Sequence, residues 1–189
     1  MGCLFLFKDM DTSIKHLIKK IDFLEEEQEA YEEAFPKYLK KFIEDFPEHK
    51  EKILAMMNGE KKDTEEKTDA SDLSPVEKKA LKKLYHKISR LSHPDVIQST
   101  FLNNIFQKAA SAYESESIDE IVRLCVLLEI DFGSLKIERV KEKLEDSAST
   151  YEEKIASYQN SLPYLWSKAK TDDEKQQAEI MIMMSLGLS

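Results

Sequence analysis

The chain has 189 residues and a net charge of −9 at pH 7, long enough for one compact domain or for a small domain with helical arms. Glycine and proline are scarce, at 4 and 5 residues, and 34% of the residues are charged. This composition favours long helices over sheets and predicts an all-α fold. Two cysteines, Cys3 and Cys125, are too few for a disulfide framework or a zinc site, so a reducing compartment and a cytoplasmic location are predicted.

The first ten residues combine positions that could be acylated with a short apolar run. Gly2 and Cys3 are where myristate and palmitate would attach, but the myristoylation motif requires Ser or Thr where Leu6 stands. The run over residues 3–7 is too short for a signal peptide or a membrane span. A packed or frayed N-terminus is therefore favoured over a lipid anchor, and no membrane association is predicted.

A heptad pattern predicts one long helix from Thr12 to about Met57, in an N-terminal coiled-coil segment over residues 1–58. Pro36 lies inside the pattern and is predicted to kink or split the helix, because proline lacks a backbone N–H. The acidic run over residues 25–33 is interpreted as a solvated helix face rather than a metal site. The predicted seam consists of Ile14, Ile21, Phe35 and Phe42 at one heptad position and Leu17, Leu24, Tyr31 and Tyr38 at the other.

A polar stretch separates this helix from the next. Asn58 and Gly59 are predicted to end the helix, with Gly59 as the left-handed cap residue. Residues 60–72 are almost all polar and show no apolar periodicity. A flexible linker is therefore predicted over residues 59–73.

A basic amphipathic helix is predicted to start after Ser74. Ser74 and Glu77 have the spacing of a capping box, Pro75 suits the first helical position, and Pro94 ends the helix. Residues 74–98 contain six basic residues and two acidic ones, which gives a local charge of +4 in an acidic chain. The apolar face comprises Leu81, Leu84, Tyr85, Ile88 and Leu91, and the basic face comprises Lys78, Lys79, Lys82, Lys83, Lys87 and Arg90.

Two further helices complete a predicted domain over residues 74–132. The first of them returns along the basic helix and forms a hairpin whose tip carries His93, Pro94 and Asp95. The second starts at Ser117, again with a capping-box spacing, and ends near residues 131–133. The returning helix has an apolar face of Phe101, Leu102, Ile105, Phe106, Ala109, Ala112 and Tyr113.

The hairpin resembles helices II and III of the J domain of DnaJ-type co-chaperones. The resemblance is carried by KKLYHKISRLSHPD over residues 82–95 and by FQKAASAYE over residues 106–114, and it covers roughly 55 residues. It implies a J-domain-like hairpin with an HPD loop that docks on a DnaK-type chaperone and stimulates its ATP hydrolysis. The implied partner-binding residues are His93, Pro94 and Asp95 of the loop and Lys82, Lys83, Lys87 and Arg90 of the basic helix.

Two departures from the family support an alternative. A J domain usually begins with a short helix I just before helix II, and here a polar run takes that place. Val96 also stands directly after Asp95, where the family usually has a basic residue. The alternative is a non-catalytic helical scaffold or adaptor with a degenerate J domain.

The last predicted segment, residues 133–189, is a second coiled-coil helix with a tail. Its heptad residues are Ile137, Leu144, Tyr151, Tyr158 and Leu165, flanked by Ala148, Ile155 and Leu162, and Pro163 interrupts it. An antiparallel coiled coil with the N-terminal helix is predicted, with homodimerisation through the same seams left open. The Met-rich tail, with Ile180, Met181, Met183, Met184 and Leu186, is predicted to fold back on the core, with client-protein binding as the alternative.

No enzyme is predicted. The sequence lacks a phosphate-binding glycine loop, a nucleophile elbow and a zinc-protease motif, so no cofactor and no metal are expected. His16, His49 and His86 lie on separate segments and are interpreted as surface or interface residues. The negative net charge argues against nucleic acid as a partner for the basic helix, and an acidic protein partner is favoured.

Overall fold

The computed structural model describes residues 12–60, 72–95, 99–185 and 187, without the side chains of residues 56–60. Within these ranges the chain is helical and contains no strand, so the all-α prediction is confirmed. Gly2, Cys3, Val96, Leu186 and most of the predicted linker lie outside the described residues. The helices are α1 (Thr12–Asp45), α2 (Lys50–Glu60), α3 (Pro75–Ser92), α4 (Thr100–Glu114), α5 (Ile118–Leu127), α6 (Ile137–Gln159), α7 (Leu162–Lys168) and α8 (Asp172–Ser185).

The chain divides into two compact units. The first unit comprises Met1–Asp22 and Thr68–Ser149, and the second comprises Phe23–Lys67 and Thr150–Ser189. Each unit is therefore assembled from two separate stretches, whereas the four domains predicted from the sequence are consecutive.

The core of the first unit is built on the α3–α4 hairpin. Helix α5 packs against both helices of the hairpin, and the first turns of α1 lie beside α4 and α5. Burying these apolar faces together supplies the main driving force for folding of the unit. Buried residues of this core are Ile14, Ile18, Ile21, Leu81, Leu84, Ile88, Ile105, Ala109, Ala112, Ile118, Ile121, Val122, Leu124, Cys125, Val140, Leu144 and Ala148.

The helix starts follow the predicted capping signals. At α3, the Glu77 N–H donates to Ser74 Oγ and the Ser74 N–H donates to Glu77 Oε2, at 3.3 and 2.7 Å, which completes the capping box. Ser117 Oγ accepts the Glu120 N–H at the start of α5. Helix α5 ends at Leu127, earlier than predicted, because Glu129 takes a left-handed conformation (φ 55°) and the Ile130 N–H turns back to the Cys125 carbonyl.

The N-terminal helix breaks at a different proline from the one predicted. Helix α1 continues through Pro36, and the break comes at Phe46 and Pro47, where a short 3-10 turn begins. We attribute the continuity at Pro36 to packing of its neighbours, because Phe35 contacts Tyr158 and offsets the loss of one backbone hydrogen bond.

Gly59 does not end the helix that contains it. Helix α2 runs from Lys50 to Glu60, so Gly59 lies in its last turn and is not the left-handed cap residue that was predicted. A glycine inside a helix costs only about 1 kcal/mol relative to alanine, which is insufficient by itself to end a helix.

The second unit pairs the C-terminal part of α1 with the end of α6 and with α7. The centroid distances are 6.1 Å for Tyr31–Tyr158, 5.8 Å for Tyr38–Tyr164 and 4.9 Å for Phe46–Trp166. The residue numbers rise together on the two sides, so these segments run in the same direction. The predicted antiparallel orientation is wrong here, because a heptad pattern identifies the buried face of a helix and carries no information on its direction.

The predicted interruption at Pro163 is confirmed. Helix α6 ends at Gln159, and α7 starts at Leu162 with Pro163 in its first turn, where the missing N–H would have had no partner in any case. The tail forms α8 and is partly buried, since Ile182 joins a cluster with Phe42, Phe46 and Ile53. Ile180, Met181 and Met184 are exposed on the same helix.

Candidate docking site on the helical hairpin

Helices α3 and α4 are held together along most of their length. The rings of Tyr85 and Tyr113 stack with centroids 4.6 Å apart and planes 7° from parallel. At the base of the hairpin, Lys78 Nζ lies 2.7 Å from Glu116 Oε1. These contacts fix the first part of α3 against the end of α4 and the residues that follow it.

The His-Pro-Asp turn follows directly on α3. The helix ends at Ser92, which is buried and whose Oγ donates to the Ile88 carbonyl at 2.9 Å. His93 leaves the helical region at φ −61°, ψ 127°, as expected for a residue that precedes proline. Pro94 and Asp95 are exposed, so the three predicted loop residues are brought together at the surface.

The His93 side chain packs against α4 and closes the turn. Its ring meets Phe106 edge-to-face, with centroids 5.1 Å apart. The backbone N–H of Asp95 donates to His93 Nδ1 at 3.2 Å, and the Asp95 carboxylate is 86% exposed. The sequence places Phe106 on the apolar face of the returning helix but does not predict its contact with His93. The one available indication of that contact was that Phe106 is the first residue of the FQK motif.

The four basic residues predicted to dock divide into two groups. Lys82, Lys83 and Arg90 are exposed, and no carboxylate of the described residues pairs with them. Lys87 is half-buried, and its Nζ donates to the Asp131 carbonyl at 3.3 Å. At 100° per residue, Lys79 shares one helical stripe with the three exposed cations, and we call Lys79, Lys82, Lys83 and Arg90 the basic stripe.

An ion-pair network ties the start of α3 to α6 within the first unit. The Arg139 guanidinium contacts both Asp72 and Glu77, and Lys143 Nζ lies 3.1 Å from Asp72 Oδ2. Hydrogen bonds from Arg139 and Lys143 lower the pKa of Asp72, and hydrogen bonds from Ser74 together with Arg139 lower the pKa of Glu77. This network was not predicted, because it joins residues more than 60 positions apart.

Acidification is expected to weaken the start of α3. Because both carboxyl pKa values are lower in the folded chain than their ordinary 3.8 and 4.5, the stabilisation is present above these values and is lost as the pH falls through the folded pKa values. For Glu77→Gln, we expect the urea midpoint to depend less on pH between about pH 6 and about pH 3. The loss at neutral pH should stay below about 1 kcal/mol, since the pairs are near the surface.

A matched control is Glu145→Gln, which removes an exposed carboxylate of the same unit that takes no part in the network. An unchanged acid dependence in Glu77→Gln would contradict the role of the network.

Cys125 behaves as a small core residue. It is fully buried, and burial raises the pKa of its thiol to about 12. At neutral pH the thiol is therefore protonated and unreactive. Within the described ranges, no three His, Cys, Asp or Glu side chains are grouped so as to hold a metal ion.

Comparisons with known proteins add no family assignment. No family model, no curated protein and no solved structure matches the chain. Across the part of the chain that the structure describes, no helix is both long and apolar enough to cross a membrane.

Proposed function

We propose that this chain is a J-domain co-chaperone that docks on a DnaK-type chaperone and stimulates its ATP hydrolysis. The observation that carries the proposal is the exposed His93-Pro94-Asp95 turn at the end of α3, on the helix that presents the basic stripe. The proposed location is the cytoplasm. The free thiol of Cys125 is consistent with this, because cysteines are kept reduced there.

The basic stripe supports docking through charge. Lys82, Lys83 and Arg90 are not neutralised by carboxylates of the described residues, so they remain available to an acidic partner surface. Exposed charge pairs contribute about 0.2–1 kcal/mol each, so the association would be modest in affinity and sensitive to salt. Lys87 contributes less, because its ammonium group is already engaged with the Asp131 carbonyl.

The packing of the first unit bears on the main departure from the family, which is the polar run in the place of helix I. A polar run stands where helix I would precede α3, yet Leu84 and Ile88 are fully buried. Helix α5 covers both helices of the hairpin, and Ile18 of α1 lies beside Ile105 and Leu124. Leu84 and Ile88 of the hairpin are thus buried in a unit where α5 packs on both of its helices, which supports an active J-like domain over a degenerate one.

The alternative is a helical scaffold or adaptor that has kept the hairpin without its activity. It is favoured by Val96, which replaces the usual basic residue after the tripeptide. A client-binding role for the exposed face of α8 (Ile180, Met181 and Met184) fits either function.

Single-turnover ATP hydrolysis by a DnaK-type chaperone from the same host tests the proposal. Wild-type protein is expected to accelerate hydrolysis. His93→Gln should reduce the acceleration by about tenfold or more, which corresponds to about 1.4 kcal/mol or more of transition-state stabilisation. The variant loses the contact with Phe106 and the Nδ1 acceptor for the Asp95 amide together.

His16→Gln is the matched control, because His16 is exposed on α1 and takes no part in the turn. It should stimulate like wild type. Absence of stimulation by the wild-type protein with a cognate chaperone would exclude the co-chaperone function and leave the adaptor.

A further inference from the structure

The turn at the end of α3 fixes which nitrogen of His93 carries the proton. Nδ1 accepts the backbone N–H of Asp95 at 3.2 Å. A neutral imidazole has one protonated nitrogen and one with a free lone pair, and only the second can accept a hydrogen bond. When the ring is neutral, its proton must therefore be on Nε2.

A competing arrangement is less favourable. His93 Nδ1 also lies 3.6 Å from Asp95 Oδ2, and a protonated Nδ1 could be drawn to that carboxylate. This distance is beyond the normal range for an N–H···O hydrogen bond, whereas the amide contact is at its outer limit. Nδ1 cannot serve both contacts in the neutral ring, so the amide contact determines the tautomer.

The other nitrogen is available to a partner. No atom of the described residues hydrogen-bonds to Nε2, and the His93 side chain is 41% exposed. The edge-to-face contact with Phe106 restricts rotation of the ring. The ring of this partly exposed side chain is thus held with Nδ1 used within the turn and Nε2 not engaged by the described residues.

We propose that His93 acts as a hydrogen-bond donor through Nε2–H, and that the partner places an acceptor oxygen opposite it. Asp95 presents a hydrogen-bond acceptor beside this donor, because its exposed carboxylate can accept from an N–H group or pair with a cation. The matching partner surface carries an acceptor beside a donor or a positive charge. The donor assignment stands on the turn itself, while the identity of the partner rests on the proposed function.

The ring nitrogen resonances of His93 in the uniformly 15N-labelled full chain test the assignment without any partner. In the neutral ring, Nε2 should show the shift of a protonated nitrogen and Nδ1 that of an unprotonated one. Asp95→Asn keeps the amide and removes the carboxylate, so it should leave this pattern unchanged. Protonation at Nδ1, or averaged shifts like those of the exposed His86, would overturn the inference.

Nε2-methylhistidine at position 93 tests the role of the donor. The methyl group removes the N–H and leaves Nδ1 free to accept from Asp95. Stimulation of a DnaK-type chaperone should fall by about tenfold, as expected when one hydrogen bond to the partner is lost. Stimulation equal to wild type would overturn the donor role. If wild-type protein does not stimulate at all, the proposed function fails while the tautomer measurement still decides the donor assignment.

Discussion

Replacement of Leu84 by alanine is expected to lower the free energy of unfolding of the first unit by about 2–5 kcal/mol. Leu84 is fully buried in α3, and its loss leaves a cavity that the surrounding helices fill only in part. This loss is a large fraction of the whole stability of a small domain, about 5–15 kcal/mol. Urea unfolding followed by circular dichroism measures it, and the backbone amides of α3 should exchange faster with solvent.

Leu91→Ala is the matched control for this variant. Leu91 belongs to the same helix and was predicted to lie on the same apolar face, but it is 48% exposed near the end of the helix. Its replacement should change the stability by no more than about 0.5 kcal/mol. Equal losses in the two variants would contradict the burial that defines the hairpin core.

Reversal of two charges in the basic stripe is expected to slow docking on a DnaK-type chaperone. For Lys82→Glu with Lys83→Glu, we expect the association rate constant to fall by about tenfold or more at low salt, because charge complementarity speeds encounter. Stopped-flow binding at two salt concentrations measures the effect. The difference from wild type should shrink as salt rises, since screening removes the contribution of exposed charges.

The control carries the same change in net charge at another place. Lys19→Glu with Lys136→Glu alters two exposed lysines of the first unit that lie outside the basic stripe. It should retain most of the association rate. If both double variants slow docking equally, overall charge rather than the stripe controls the encounter.

The helix starts could be predicted from sequence because their causes are local. Ser74 and Glu77 are three residues apart, and both hydrogen bonds of the capping box are present. Pro94 likewise ends α3 through its effect on the residue before it. Such signals depend on a few neighbouring residues, so a single sequence contains them.

The contacts between distant segments could not be predicted in the same way. The pairing of Tyr31 with Tyr158 depends on the direction of the chain through the second unit, about which the heptad pattern says nothing. The engagement of Lys87 with Asp131 and the position of Phe106 on His93 depend on how three helices pack. Sequence therefore identified the residues of the candidate site and left open which of their atoms are available.

The pairing of α1 with α7 has a consequence during protein synthesis. Trp166 donates to the Asp45 carboxylate across 121 positions of sequence. At about 5–20 residues per second, the ribosome needs about 6–24 s to add that length. Throughout this interval Phe42 and Phe46 have been made, while Trp166 and Ile182, which pack in the same cluster, have not. The growing chain therefore carries uncovered rings for many seconds, and this part of the protein closes only after α7 has been synthesised.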